Sequence, residues 1–392
     1  MIPLELSLVE PLGRLRSRPW ADAVTGVKID SRRIDEGDLF VAIGAGADFA
    51  AHALARGAAA VLVPDDAHRA LGELGGAVRA RSSARVVAIT GATGKTTTRD
   101  ILAALCSPHL RTVASEANYN NELGVPLTLC RIEPDTELCI VEMGMRGLGQ
   151  IAWLASFARP DVGVITNVGP VHLELVGTVD EVARAKAELI EALPAGGVAV
   201  VPDEPLLEPY LARAGVEVRR FAASVPFETS FTAAHQLENA RAAVAVCEVL
   251  GVPLPERLEV AFTPLREEEL ELPNGVLVLN DCYNANPLSM RAALAHLAER
   301  AGGRRRVAVL GEMAELGPGA PGFHREVGAL AAELGVEVIA VGPLARDYGG
   351  RWVATAEDAA AALRGMLRPG DVVLVKGSRS VGLEAVAAKL RG

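Results

Sequence analysis

Lysine is scarce in this chain. Only five occur, at positions 28, 95, 186, 376 and 389, and arginine supplies the rest of the 39 basic residues. Three of the five, Lys95, Lys186 and Lys376, stand inside the motifs described below. This is a mild sign that those places need an amine where the rest of the chain uses a guanidinium. Cysteine is scarce too. Cys106, Cys130, Cys139, Cys247 and Cys282 are scattered without metal-like spacing, which points to buried thiols in a reducing cytoplasm. No apolar run reaches the length of a membrane span. No basic segment followed by an apolar core opens the chain, so a secretory signal is not expected. Positive charge is in deficit, with a net charge of −10, and that argues against a nonspecific nucleic-acid binder. Short-period repeats and low-complexity tracts are lacking as well.

What is present is a globular composition, half apolar and 22% charged. At 392 residues the chain is too long for one core, and two or three domains are expected. Three blocks can be read. The first, up to about Ser83, contains Lys28-Ile-Asp-Ser-Arg, Asp38-Leu-Phe-Val-Ala-Ile and Ala59-Ala-Val-Leu-Val. These are expected to be short strands separated by turns, with one helix near 52–57. The second block predicts strands at 86–90, 138–142, 162–168 and 198–202 with helices between them, and a closing helix over 235–250 that stops at Gly251. The third repeats the alternation, with strands at 276–280, 307–310, 336–341 and 372–375. Alternation of this kind builds mostly parallel sheets covered by helices.

The most informative stretch is Ile89-Thr-Gly-Ala-Thr-Gly-Lys-Thr-Thr. A short apolar strand runs into a glycine-rich turn, and a helix follows. That is the context of a phosphate-binding loop. Glycine lets the backbone curl so that N–H groups from Gly91 through Ala92, Thr93 and Gly94 to Thr96 point inward at phosphate oxygens, with Thr97 next to them as a further ATP-binding candidate, and the helix N-terminus adds positive potential. Lys95 can reach the outer phosphates and the Thr96 hydroxyl can ligate Mg²⁺. The spacing is unusual, because Gly91 lies three positions before Gly94 where the general pattern has five.

Open α/β sheets bind ligands beyond the carboxyl ends of their strands, and the other polar signatures fall at such ends. Glu142 closes Leu-Cys-Ile-Val and can hold Mg²⁺ opposite Thr96. His172, after Gly-Pro-Val, is either a hydrogen-bonded structural residue or a ligand. Lys186 lies on a helix that Thr178 and Glu181 are expected to cap, where a solvated face is the plainer reading. Asn118, Asn120 and Asn121 fit turns or amide contacts to a polar substrate. Asp281, Tyr283, Asn284 and Asn286 leave a strand and open a helix at Pro287, so they fit capping, ligand contact or both. With Gly311-Glu-Met and Lys376-Gly-Ser-Arg, also at strand ends, six polar signatures in two sheets suggest that the second and third blocks face each other across a shared site.

Taken together, these residues resemble the Mur ligases of peptidoglycan synthesis, over nearly the whole chain. Gly26-Val-Lys-Ile-Asp-Ser-Arg and Gly37-Asp-Leu-Phe-Val-Ala are similar to the UDP-binding signature of the members that extend the muramoyl peptide. The phosphate loop, Asn118-Tyr-Asn-Asn-Glu-Leu-Gly-Val-Pro, Glu142-Met-Gly and Thr166-Asn-Val-Gly-Pro-Val-His fit the family in order. Lys186 falls on the lysine that the family carbamoylates to bridge Mg²⁺, which moves its reading from plain to functional. Asp281-Cys-Tyr-Asn-Ala-Asn-Pro, Leu310-Gly-Glu-Met-Ala-Glu-Leu-Gly and the later His324 look like the subgroup that adds D-alanyl-D-alanine. Two departures stand out. The segment around 221–235 is shorter than the family's, and the His235-Gln-Leu-Glu-Asn that follows lacks the leading glycine of the family's His-Asn-x-x-Asn; the first domain is also compact, with Gly46-Ala-Asp-Phe in place of the family's fuller loop.

The resemblance implies an α/β fold of three domains. A small N-terminal α/β domain (1–83) would bind UDP, a central parallel sheet (84–262) would carry the phosphate loop, and a C-terminal Rossmann-like domain (263–392) would bind the incoming dipeptide. It implies a cytoplasmic ATP-dependent ligase, expected as a monomer, that joins D-alanyl-D-alanine to UDP-N-acetylmuramoyl-tripeptide through an acyl phosphate. Ser31 and Arg32, with Asn118, Asn120 and Asn121, would take the nucleotide substrate. Asn239, Asp281 and Asn284 would meet adenosine, and Asn286, Lys376 and Arg379 the dipeptide. Thr96 and Glu142 would hold one Mg²⁺, and His172 with carbamoylated Lys186 a second. Rival readings are a relative that adds another amino acid, a nucleotide switch, and an ATPase without an acceptor.

Overall fold

The computed structural model describes residues 1–212 and 215–391. Three sheets carry the chain. The first has β1 (Gly13–Ser17), β2 (Gly26–Lys28), β3 (Asp38–Val41) and β4 (Ala60–Pro64) in the order β1-β4-β3-β2, with β1 antiparallel and the rest parallel. Beside it lies the short helix α1 (Ala50–Ala55). The strand expected at 28–32 ends at Lys28. Asp30 instead accepts from the backbone N–H and guanidinium of Arg32 and turns Ser31–Arg33 into a single 3-10 turn.

A further helix, α2 (Ala67–Arg81), was not expected within the first block. Its sequence holds Gly72, Gly75 and Gly76, which look like interruptions. They are sites of close approach. A side chain at Gly72 would meet the Phe157 ring at 2.7 Å, and one at Gly75 the Pro126 carbonyl at 2.9 Å. The helix thus seats on α4 (Gly124–Leu129) and α5 (Gln150–Ala158), burying Leu71, Leu74 and Val78. Burial of side chains like these contributes about 1.5–3 kcal/mol each.

The second sheet contains β5 (Arg85–Thr90), β6 (Thr112–Ala114), β7 (Leu138–Glu142), β8 (Val162–Ile165), β9 (Val198–Val201) and β10 (Glu217–Arg220). Its order is β10-β9-β8-β5-β7-β6, parallel throughout. Both faces are covered. Along β5, Val86 and Ala88 enter one core and Val87 and Ile89 the other, which is why the strand reads as an unbroken apolar run. The strand expected to reach 168 leaves the sheet after Ile165. Thr166 and Asn167 spend their side chains on the loop after β5, to Thr93 O (2.5 Å) and Thr93 N (2.9 Å). Helices α3 (Lys95–Cys106), α6 (Val179–Glu191) and α7 (Ala234–Leu250) follow. Thr178 caps α6 by accepting from Glu181 N, and Gly251 stops α7 at φ 71°. The short segment before α7 holds the two-residue strand Glu228–Thr229, paired with Arg257–Leu258.

The third sheet has β11 (Glu268–Glu271), β12 (Leu277–Asn280), β13 (Arg306–Gly311), β14 (Val336–Val341), β15 (Arg351–Val353) and β16 (Val372–Lys376) in the order β11-β12-β16-β13-β14-β15. Only β11 runs antiparallel. Helix α8 (Pro287–Ala301) opens with a capping box between Asn286 and Ser289. The connection from the second sheet is short. Thr263 is pinned to α3 by N–H and hydroxyl bonds to Asp100 (both 2.9 Å), and by Glu268 the chain is already an edge strand of the third sheet. Between those points Leu265 and Glu267 both take left-handed backbone, at φ 65° and 55°. All five cysteines are buried thiols. Among the described residues no helix is long and apolar enough to cross a membrane.

Candidate active site

β5 lies between β7 and β8, so the sheet's crevice opens at its carboxyl end. The loop Gly91–Gly94 emerges there. Gly91 and Gly94 have φ of 153° and 76°, and a Cβ on Gly94 would strike the Asn239 side-chain oxygen. Two constraints, left-handed backbone and close approach, therefore require glycine at 94. Lys95 begins α3 and folds its ammonium back onto Gly91 O (2.8 Å). Burial pulls the Lys95 pKa below its ordinary value, with Glu142 opposing and the Arg266 charge adding to the fall.

The Thr96 hydroxyl donates to Glu142 Oε2 at 2.8 Å, and Asn120 donates to Glu142 Oε1 at 2.8 Å. Glu142 is 1% exposed. Burial alone would raise its carboxyl, but Arg266, Lys95 and Arg99 outweigh burial and hold it below the usual carboxylate range. An ionised carboxylate beside a hydroxyl at the mouth of a phosphate loop is a donor set that suits Mg²⁺.

Lys186 is 2% exposed on α6. Burial, reinforced by the Lys95 charge, drives its amine well below the ordinary value. His172 sits in left-handed backbone (φ 54°) ahead of the helical turn Leu173–Val176. Its pKa is lowered by burial, against the pull of Glu315, whose carboxylate contacts Nδ1.

The third domain closes over this crevice. Asn286 Nδ2 donates to Ala92 O (3.4 Å), and Leu288 lies where a Cβ on Gly169 would be. Glu174 N donates to Glu315 O (3.2 Å). Asn286 thus serves the helix cap and the phosphate loop. Lys376 is 2% exposed, and its ammonium is engaged by the Asp281 carboxylate and Asn284 O (3.0 Å). Burial raises the Asp281 carboxyl, against the pull of Lys376. The Asn284 side chain accepts from Ala285 N. Arg379 is 55% exposed near the rim, 3.6 Å from Glu384. His324 is buried and holds the loop after β13, accepting from Met313 N (2.9 Å) and bonding Ala320 O (2.7 Å).

The remaining sequence candidates lie apart from this crevice or serve local structure. Ser31 is buried with its hydroxyl 3.1 Å from His52 Nδ1, while Arg32 is 83% exposed and paired with Asp30. Both follow β2, at the carboxyl end of the first sheet. Asn121 caps α4 through Gly124 N (3.0 Å), and Asn118 is exposed.

Arg266 carries a role that the sequence did not suggest. Its charge acts on both Lys95 and Glu142, its guanidinium carbon stands 4.1 Å over the Tyr283 ring, and its buried Nε has no partner. A buried, unpaired guanidinium donor beside a phosphate loop is suited to an anion. In sequence it is one more charge in Arg-Glu-Glu-Glu, and only the linker geometry brings it to the site.

Two family models match the chain. That described as Mur ligase middle domain covers residues 89–224, and that described as Mur ligase, glutamate ligase domain covers residues 265–379. A curated relative, the UDP-N-acetylmuramoyl-tripeptide--D-alanyl-D-alanine ligase of Synechocystis sp., is 34% identical over 94% of this chain and 92% of its own length. That alignment runs to 421 positions, more than this whole chain of 392, so the relative carries segments that this chain lacks. Among solved structures, MurF from Acinetobacter baumannii matches with a TM-score of 0.85 at 27% identity, covering 99% of this chain and 98% of that one. MurF ligase from Thermotoga maritima in complex with ADP gives a TM-score of 0.82 at 28% identity, covering 93% and 96%.

Proposed function

The chain belongs to the Mur ligase family, and from that premise we infer that it is an ATP-dependent ligase joining D-alanyl-D-alanine to UDP-N-acetylmuramoyl-tripeptide, with ADP and phosphate as products, in peptidoglycan precursor synthesis. The chemistry rests on one observation above the others: a phosphate loop whose threonine meets a buried, ionised carboxylate, with the third domain seated directly over it. The choice of substrates rests on relatives named for that reaction.

A carboxylate does not accept an amine directly, because oxide would have to leave. Transfer of the γ-phosphoryl group to the tripeptide's terminal carboxylate gives an acyl phosphate and ADP. The dipeptide amine then adds to the acyl carbon, and phosphate leaves from the tetrahedral intermediate. The protein's task is mainly positioning and charge neutralisation. Lys95 and the N–H groups of Gly91 to Thr96 hold the triphosphate, and Arg266 adds a cation from the linker. Thr96 and Glu142 would hold one Mg²⁺, and His172 with Lys186 a second. Bound there, the metal would neutralise phosphate charge and polarise the reacting oxygens.

Lys186 fits that role only as a carbamate, since an ammonium cannot ligate metal. Its buried, neutral-leaning amine is the form that adds CO₂, with loss of one proton, to give the anion. Residues 1–83 serve the uridine diphosphate end through Ser31 and Arg32, residues 84–262 bind ATP, and residues 263–392 bring the dipeptide. Asn120 lines the approach to Glu142, and Asn239, Asp281 and Asn284 frame the adenosine. Every group named comes from one chain, so a monomer suffices, and the cytoplasm is the compartment that holds ATP together with both precursors. The test is to incubate the protein with ATP, Mg²⁺, the nucleotide tripeptide and D-alanyl-D-alanine and weigh the product. A mass equal to the two substrates less one water is expected, and ATP hydrolysis that ignores the dipeptide would refute the reading.

A further inference from the structure

Glu315 is carried by the third domain but does its bonding in the second. It lies in the loop after β13, in left-handed backbone at φ 61°. A non-glycine residue there is strained and persists when its surroundings hold it in place. Contacts with the second domain supply that hold. Its carbonyl accepts from Glu174 N, and the neighbouring Gly317 lies so close that a side chain would stand 3.3 Å from Glu174 Cα. Its carboxylate divides, with Oε2 on the His172 imidazole and Oε1 3.4 Å from the Arg146 guanidinium. Unlike Glu142, its side chain is partly exposed, at 32%.

On the reading given above, the incoming dipeptide is a zwitterion. Its amino group is largely an ammonium near neutral pH, and it must come within bonding distance of an acyl carbon held beside His172 and Lys186. A cation arriving there needs an anion that travels with the third domain. Lys376 cannot serve the other end, because its ammonium is already committed to Asp281 and Asn284. Arg379 is more than half exposed, and its ion pair with Glu384 is a looser contact of 3.6 Å. The Arg379 and Glu315 loops follow neighbouring parallel strands, with Leu310 in register with Lys376. They are also bonded to each other, Ser378 N to Glu312 O (3.0 Å) and Ala314 N to Ser378 Oγ (2.9 Å).

We propose that Glu315 binds the ammonium of the incoming dipeptide and that Arg379, on the adjoining loop, takes its carboxylate, so that the pair fixes which end faces the acyl phosphate. Glu315 is then a specificity residue for an amine-bearing acceptor, and its contacts with His172 and Arg146 are the ones that the incoming ammonium replaces.

The test compares Glu315→Gln with the parent enzyme, reading the KM for each substrate with the others saturating. The KM for D-alanyl-D-alanine should rise about tenfold or more, the scale of one lost charge-assisted hydrogen bond, while those for ATP and the nucleotide tripeptide stay within about twofold on the same scale. Propanoyl-D-alanine, which lacks the ammonium, should inhibit the parent far more weakly than the dipeptide binds it, and Glu315→Gln should lose that preference. Glu315→Asp should restore part of it. Binding of Mn²⁺, followed by its electron spin resonance, should be the same in parent and variant. An unchanged dipeptide KM, an equal rise for the nucleotide tripeptide, or loss of bound Mn²⁺ would each overturn the proposal. A parent enzyme that forms no dipeptide product would instead defeat the underlying reading.

Discussion

Lys186 is a buried amine that no carboxylate balances among the described residues, in a chain that otherwise prefers arginine. Such a group is costly to keep charged, and its neighbour Lys95 makes the charged form costlier still. Replacement by alanine should cut ligation by on the order of a hundredfold or more, the scale of losing one electrostatic stabiliser. Short carboxylic acids should restore part of the rate. Phosphate release measured with and without acetate checks this, and full activity without the acid would remove Lys186 from the metal site. At this scale the site was legible wherever a motif and a strand end coincided, as at Thr96 and Glu142. Arg266 and Glu315 were not legible, because their roles depend on a linker conformation and a domain contact that no local pattern encodes. Asn121 and Asn286 show the opposite case, polar residues whose side chains are largely spent on helix caps.

Elements were read well where an apolar run is bounded by a charged residue or a glycine, as by Glu137 and Glu142 or by Gly335 and Gly342. The strands Leu138–Glu142 and Val336–Val341 have the bounds that their sequences suggest. Helix α2 escaped notice because its three glycines answer to Phe157 and Pro126, residues of other elements. The seam between α7 and α8 adds a pH dependence. His296 on α8 has an unpartnered Nδ1 and lies 6.1 Å from the ring of His235, which contacts Glu267. Burial and the His235 charge lower its pKa, while Glu267, Glu269 and Glu299 pull it back in part. A histidine whose folded value lies below its unfolded one adds stability that is complete above about pH 6.5 and is lost as the pH falls through the lower value. The melting temperature should therefore drop between neutral and mildly acid pH, and His296→Gln should flatten that drop. Scanning calorimetry of both proteins over this range decides the matter, and parallel curves would exclude His296.

The three lobes act as a unit because the third rests on the second through a few close contacts. Gly169 is the tightest of these, and Gly169→Val would drive a side chain into Leu288. The third lobe should then fail to seat. Turnover should fall on the order of a hundredfold, as for a reactant displaced by about an ångström, with nucleotide tripeptide binding retained. X-ray scattering should show a larger radius of gyration, and an unchanged radius together with unchanged turnover would mean that this contact does not govern seating. The joint itself is short, bounded by Thr263 on one side and the edge strand from Glu268 on the other. Two of the residues between them hold torsions that side-chain-bearing residues rarely adopt. Torsions of this kind persist only where the surroundings over-determine them, so the joint takes its shape from the two lobes it connects and not from any preference of its own.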